Sequence, residues 1–175
     1  TQMTDSKPSA PRAYKVLIVG GGAAGISVAA RLAKKLPPGS IGVVDPATKH
    51  HYQPLWTLVG GGVCRKEETE RDEASVIPKG VDWIQEAVER FEPDDKRVAL
   101  KSGGVLAYEW LVVCPGIQLD WNKVEGLEGN VGKHGICSNY AYEFVDRTWP
   151  TIEATGSGKA LFTHPSTPIK CGGAP

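Results

Sequence analysis

The chain has 175 residues, enough for one domain or most of one. Twenty lysines and arginines against twenty aspartates and glutamates leave no net formal charge, and so no basic footprint of the kind a nucleic-acid binder needs. No apolar run approaches the roughly 20 residues that span a bilayer, and four cysteines without a CxxC pair specify neither a disulfide framework nor a metal site.

Residues 1–13 are polar and Ser/Pro-containing and read as a flexible leader left by processing or truncation. Tyr14 to Val19 is a β-branched and aliphatic run that enters a glycine turn, Gly20 to Gly25, and is predicted to be a strand. Ala23 to Leu36 is rich in Ala, Leu and Ile, carries Lys34 and Lys35 in its last turn and stops at Pro37-Pro38, as a helix with a complemented C-terminal dipole should. Ile41 to Asp45 is a second buried strand, which completes a parallel βαβ unit.

A loop from His50 to Trp56, the glycines Gly60 to Gly62 and a charged stretch from Arg65 to Glu73 follow, the last read as a solvated surface loop. Strands are predicted at Val81 to Ile84 and Ala87 to Phe91, and a hairpin at Val98 to Lys101 and Val105 to Val113 around Ser102-Gly103-Gly104. Asn139 to Ile152 reads as a helix broken or restarted at Pro150, and Ala160 to Thr163 as a final strand running into Pro165. The expected fold class is α/β. A Rossmann-like dinucleotide-binding domain with a β-hairpin element covers residues 14–156, and the opening of a second Rossmann-like domain covers 157–175, where the chain is expected to be a fragment.

Gly20-x-Gly22-x-x-Gly25 follows a strand and opens a helix. The first glycine allows the tight turn, the second a close backbone approach to a pyrophosphate, and the third close helix packing, with the phosphates over the helix N-terminus. Asp45, twenty residues after Gly25 at the end of the second strand, can accept hydrogen bonds from a ribose diol. A carboxylate there repels a 2′-phosphate, so the adenosine end belongs to FAD or NAD rather than NADP. Trp110 to Gly116 favours FAD: this apolar strand ending in Cys114-Pro115-Gly116 resembles the second flavin-contact segment of flavoproteins with two dinucleotide domains, with Cys-Pro in place of Ala-Thr.

Four blocks then occur in order: His51-Tyr52-Gln53-Pro54-Leu55-Trp56 with the residues to Gly60; Ala74-Ser75-Val76-Ile77-Pro78 with Gly80 to Ile84; Gly116 to Asp120; and Phe162 to Pro175. Together they resemble the sulfide:quinone oxidoreductases of the mitochondrial type. The resemblance implies a flavoprotein that oxidises hydrogen sulfide, carries sulfur on a cysteine pair as a persulfide, and passes electrons through FAD to ubiquinone. It also implies a small sulfur acceptor such as glutathione or sulfite, and placement at the mitochondrial inner membrane by peripheral contact through a part beyond residue 175.

Cys171 matches one member of the redox pair, and Lys170 beside it favours the thiolate. For FAD the resemblance carries over Gly20, Gly22, Ala23, Ala24 and Gly25 at the pyrophosphate, Asp45 at the ribose, Gln53 at the phosphate and ribose span, and the backbone of Val88 at the adenine edge. The Pro165 to Pro168 turn replaces the second glycine fingerprint that a type II NADH:quinone oxidoreductase would need. That enzyme and a non-catalytic FAD-binding module are the alternatives. Cys137 and Cys114 read as packed thiols and Cys64 as unassigned, while His50, His51, His134 and His164 are not spaced as metal ligands.

Overall fold

A strand that is aliphatic on both faces needs cover on both sides, and β1 (Arg12–Val19) obtains it, with Leu17 and Ile18 both fully buried. The computed structural model describes residues 11–164. After β1 come α1 (Ala23–Leu32), β2 (Ile41–Val44), β3 (Lys49–His51), α2 (Trp56–Gly60), β4 (Glu70–Asp72), α3 (Glu73–Val76), β5 (Val81–Ile84), β6 (Val88–Glu92), β7 (Arg97–Leu100), β8 (Val105–Val113) and α4 (Thr148–Ala154). Six strands form one sheet in the order β5-β2-β1-β8-β7-β6, and β3 and β4 pair separately. β1 lies parallel to β2 and β8, and β2 parallel to β5, whereas β7 joins β8 and β6 joins β7 antiparallel. The predicted βαβ unit and hairpin are therefore present in one mixed sheet.

The core has a layer on each side of β1. On one side Tyr14, Leu17, Val44, Val98, Leu100 and Leu106 pack together. On the other Val16, Ile18, Ile41 and Val43 pack against Ala29 of α1. Gly42, an odd choice inside a buried strand, is explained by Tyr14, because a Cβ there would stand 3.0 Å from the tyrosine ring. A third cluster, Trp56, Val59 and Val145, joins α2 to the segment before α4. The glycine run makes that join possible: a Cβ on Gly60 would stand 2.3 Å from Asn139 Oδ1, and one on Gly62 2.5 Å from the Trp149 ring.

Several predicted elements differ in detail. β1 begins at Arg12, because Arg12 and Ala13 find ladder partners in Leu106 and Ala107 of β8. α1 ends at Leu32, and a turn held by Leu36 N–H on Leu32 O carries the chain to the prolines. The charged stretch from Arg65 to Glu73 is not a solvated loop. It forms a 3-10 turn (Lys66–Thr69), then β4, then the start of α3, and buries Thr69 and Glu73 almost wholly. Its cause is pairing with β3, supported by Lys49 Nζ 2.8 Å from Asp72 Oδ1 and by the Trp56 indole N–H donating to Thr69 Oγ1 at 3.1 Å.

The helix expected from Asn139 is confined to a 3-10 turn (Val145–Arg147) and α4, with Pro150 inside the first turn of α4, where a missing N–H costs nothing. Ala160 to Thr163 is not a strand: its backbone has no ladder partner among the described residues, and Leu161 and Phe162 are exposed. Among the described residues no helix is long and apolar enough to cross a membrane. The rest of the expected second domain, residues 165–175, and residues 1–10 of the leader lie outside the described residues.

Leu17 is fully buried, so Leu17→Ala is expected to lower the unfolding free energy by about 2–5 kcal/mol. Val63→Ala, at a position 71% exposed, should stay within about 0.5 kcal/mol of the parent. Urea unfolding followed by tryptophan fluorescence measures both.

Candidate functional site

Where β1 leaves the sheet, its backbone meets that of the residue after β8. The Cys114 N–H donates to Val19 O at 2.7 Å, and a Cβ on Gly20 would stand 2.0 Å from Cys114 O. Gly20 also has φ of +103°, so no other residue fits the turn. Gly25 is equally constrained: its Cβ would stand 1.9 Å from Gly20 O, which is how α1 comes down onto the turn. Gly22 differs from both. A Cβ there would meet nothing within 4 Å and would project into open space at the N-cap of α1.

That N-terminus is built for an anion. Gly22 makes no side-chain cap, and the first turn contains no acidic residue. The N–H groups of Ala23, Ala24 and Gly25 precede the first intrahelical donor, Ile26, whose N–H bonds Gly22 O at 3.0 Å. Free donors and the positive end of the helix dipole therefore border the open space beside Gly22.

Asp45 stands beside the same turn. Its Oδ2 accepts the Gly21 N–H at 2.5 Å and its Oδ1 the Ala47 N–H at 2.7 Å, which leaves lone pairs on both oxygens for a diol. Its backbone is pinned from β5, with Asp45 N–H on Ile84 O at 3.1 Å and the Trp83 indole N–H on Asp45 O at 3.0 Å. Cradle, donors and carboxylate fit the pyrophosphate and adenosine ribose of a dinucleotide.

The structure thus brings Gly20, Gly22, Ala23, Ala24, Gly25 and Asp45 together. Gln53 opens a 3-10 turn (Gln53–Leu55) three residues beyond His50. Val88 starts β6 and packs with Ile84 against the layer that holds Val44, the residue before Asp45. Cys171 lies outside the described residues. Cys64, Cys114 and Cys137 are free and half-buried, Cys137 resting near the carbonyls of Gly135 and Arg147. His51 is no loop histidine: it lies in β3, its ring 4.3 Å from that of Tyr142 and its Nε2 3.2 Å from Glu70 Oε2.

Two residues at the turn escaped sequence reasoning. His50 Nδ1 lies 3.2 Å from Gly21 O and 3.3 Å from Glu73 Oε2, and Glu73 is only 2% exposed. Burial pushes the Glu73 carboxyl above the ordinary carboxylate range, His50 opposes the shift and Asp45 adds to it. Glu73 was hidden by its place in a charged run. The single local signal was the apolar Val76-Ile77 that follows it.

Comparison with known proteins agrees with this geometry. The profile of the family described as pyridine nucleotide-disulphide oxidoreductase matches residues 14–150. The chain is 47% identical over 163 residues to the mitochondrial sulfide:quinone oxidoreductase of Dictyostelium discoideum, covering 92% of this chain and 36% of that protein. It is 42% identical over 162 residues to the protein of the same name from Mus musculus, covering 93% and 36%. The resemblance read from the residue blocks is borne out, and the chain spans 36% of the length of these curated relatives. The crystal structure of sulfide:quinone oxidoreductase from Aquifex aeolicus shares the fold, with a TM-score of 0.58 at 22% identity over 82% of this chain and 32% of that one.

The glycines separate fold from ligand. Gly25→Ala forces a Cβ into Gly20 O and is expected to lower the melting temperature, whereas Gly22→Ala should melt with the parent but bind the dinucleotide about tenfold or more weakly, the Cβ filling the cradle. Thermal melts and equilibrium titration with the dinucleotide distinguish the two.

Proposed function

The chain belongs to the pyridine nucleotide-disulphide oxidoreductase family, and from that premise we propose that it forms the FAD-binding part of a flavoprotein that oxidises hydrogen sulfide and delivers the electrons to ubiquinone. The observation that carries this reading is identity of 42–47% over nearly the whole chain to proteins named mitochondrial sulfide:quinone oxidoreductase. The site's own chemistry supports the cofactor half of it. The N–H groups at the start of α1 would hold the pyrophosphate, Gly22 would leave it room, and Asp45 would accept from the ribose hydroxyls.

FAD, when bound, supplies the two-electron relay between a sulfur donor and a quinone. The chain's part in the sulfur chemistry falls to Cys171. Beside Lys170 its thiol is favoured as thiolate. Joined to the second redox cysteine as a disulfide, it would be opened by hydrosulfide to leave a persulfide on one cysteine and a thiolate on the other. Re-forming the disulfide once the outer sulfur has left would deliver two electrons to FAD. Such a persulfide would pass its outer sulfur to a small acceptor, glutathione or sulfite, and regenerate the thiolate. The quinone site, a second redox cysteine and any peripheral contact with the mitochondrial inner membrane would come from parts of the protein beyond these 175 residues. The names of the relatives support mitochondrial placement.

The test mixes the full-length, flavin-loaded protein with sulfide under anaerobic conditions and follows flavin absorbance. Bleaching that quinone reverses, and its loss in Cys171→Ser, is the expected result. If sulfide leaves the flavin oxidised while NADH bleaches it, the reading fails and the protein belongs with NADH:quinone reductases.

A further inference from the structure

Glu73 is almost wholly buried, yet its Oε1 has no hydrogen-bond partner. An unsatisfied polar atom inside a folded protein is costly and calls for a reason. This one points at the dinucleotide turn: a Cβ on Gly21 would stand 2.5 Å from Glu73 Oε1. The other oxygen, Oε2, faces His50 Nδ1 at 3.3 Å, and the same ring nitrogen is 3.2 Å from Gly21 O. Gly21 donates its N–H to Asp45. A single residue of the turn is therefore held at its N–H by Asp45, at its carbonyl by His50 and at its Cα by Glu73.

The arm that delivers these groups is the β3–β4 pair, whose strands end on His51 and lead directly into Glu73, with Glu73 N–H fixed on Thr48 O at 2.9 Å. Among the described residues, the titratable groups that face Glu73 are His50, from β3, and Asp45, from the end of β2. With one proton between them, His50 and Glu73 carry no net charge, whichever of the two holds it. Without that proton a buried negative charge stands beside Asp45 and behind the place where a diphosphate would arrive.

We propose that His50 and Glu73 are positioning residues of the cofactor site, a proton-sharing clamp on Gly21 that keeps the turn and Asp45 in binding geometry and loosens the cofactor when the shared proton is lost. The inference rests on the reading of this site as an FAD site. The sign follows from linkage. An anionic cofactor makes the proton harder to lose, so the pair binds it more tightly in the loaded protein than in the empty one. Affinity is then full at low pH and falls as pH rises through the pair's titration, by tenfold for each unit of difference between the two states.

The experiment measures FAD dissociation from the full-length holoprotein by recovery of flavin fluorescence, across about pH 5 to 9. The parent's dissociation constant should climb about tenfold or more toward high pH. Glu73→Gln keeps the shape but leaves the proton His50 alone, so its step should move to lower pH than the parent's. The Glu73→Gln/His50→Asn double variant, with neither site, should be flat over the parent's step. His50→Asn keeps a donor for Gly21 O but leaves the proton a single site, so the step should persist at lower pH.

A purely structural role would shift the Glu73→Gln constant by one factor at every pH, leaving its profile parallel to the parent's, and that result overturns the proposal. A flat parent profile does the same. Should Glu73→Gln fail to fold, a His50→Asn step at the parent's own pH overturns it. A parent that binds no FAD at any pH removes the cofactor reading and the clamp together, an outcome distinct from the others.

Discussion

The site depends on one close crossing of backbone. Cys114, just past β8, bonds Val19 and lies so near Gly20 that any side chain at that glycine would overlap its carbonyl. The crossing follows from the sheet order, because β8 is the parallel neighbour of β1 and both strands release their chains at the same end. A ligand in an open parallel sheet binds beyond the carboxyl ends of the strands, and that is where the glycine turn, Asp45 and the Cys114-Pro115-Gly116 segment converge. Gly20 and Gly25 serve the crossing and the helix contact, which leaves Gly22 as the glycine of the three whose missing Cβ faces open space.

Position at that edge is secured from the neighbouring strands as much as from the turn itself. Asp45 could not aim at the turn without β5, which fixes its peptide from Ile84 and caps its carbonyl with the Trp83 indole. β2, on which β5 pairs, is thin at Gly42, where the Tyr14 ring crosses. The strand that leads to Asp45 is thus coupled to the packing of a tyrosine at the opposite end of β1, through a ladder too stiff to absorb small shifts.

The portion of this architecture that was legible in the sequence is the portion encoded locally. Strand, glycine turn, helix and strand carry their own periodicity and punctuation, so β1, α1, β2, the β7–β8 hairpin and the position of Asp45 beside the glycine turn could be read from residues 14–45 and 98–113. Long-range pairing has no such signature. β3 and β4 are three residues each and separated by a helix and two 3-10 turns, and β4 is all charged. Periodicity over three residues cannot distinguish an ion-paired strand from a solvated loop, so Glu73 was misjudged along with its surroundings. Ala160 to Thr163 failed in the opposite sense: its composition suits a strand, but a strand also needs a neighbour.

The two acids at the turn illustrate what separates a ligand group from a device that holds one. Asp45 is partly accessible and spends each oxygen on one backbone N–H, which leaves acceptor capacity turned toward the open cradle. Glu73 is closed off from solvent, has one oxygen with no partner, and touches the turn from behind through Gly21. A buried carboxyl of this kind is tolerated where its environment keeps it neutral or supplies a cation, and His50 is the group in reach that can do either. The histidine is also tied to the Gly21 carbonyl, so the state of the pair cannot change without being felt at the peptide that Asp45 grips. Coupling between a proton and the shape of a dinucleotide turn needs no moving domain. It needs one glycine held by three side chains, two of which exchange a charge.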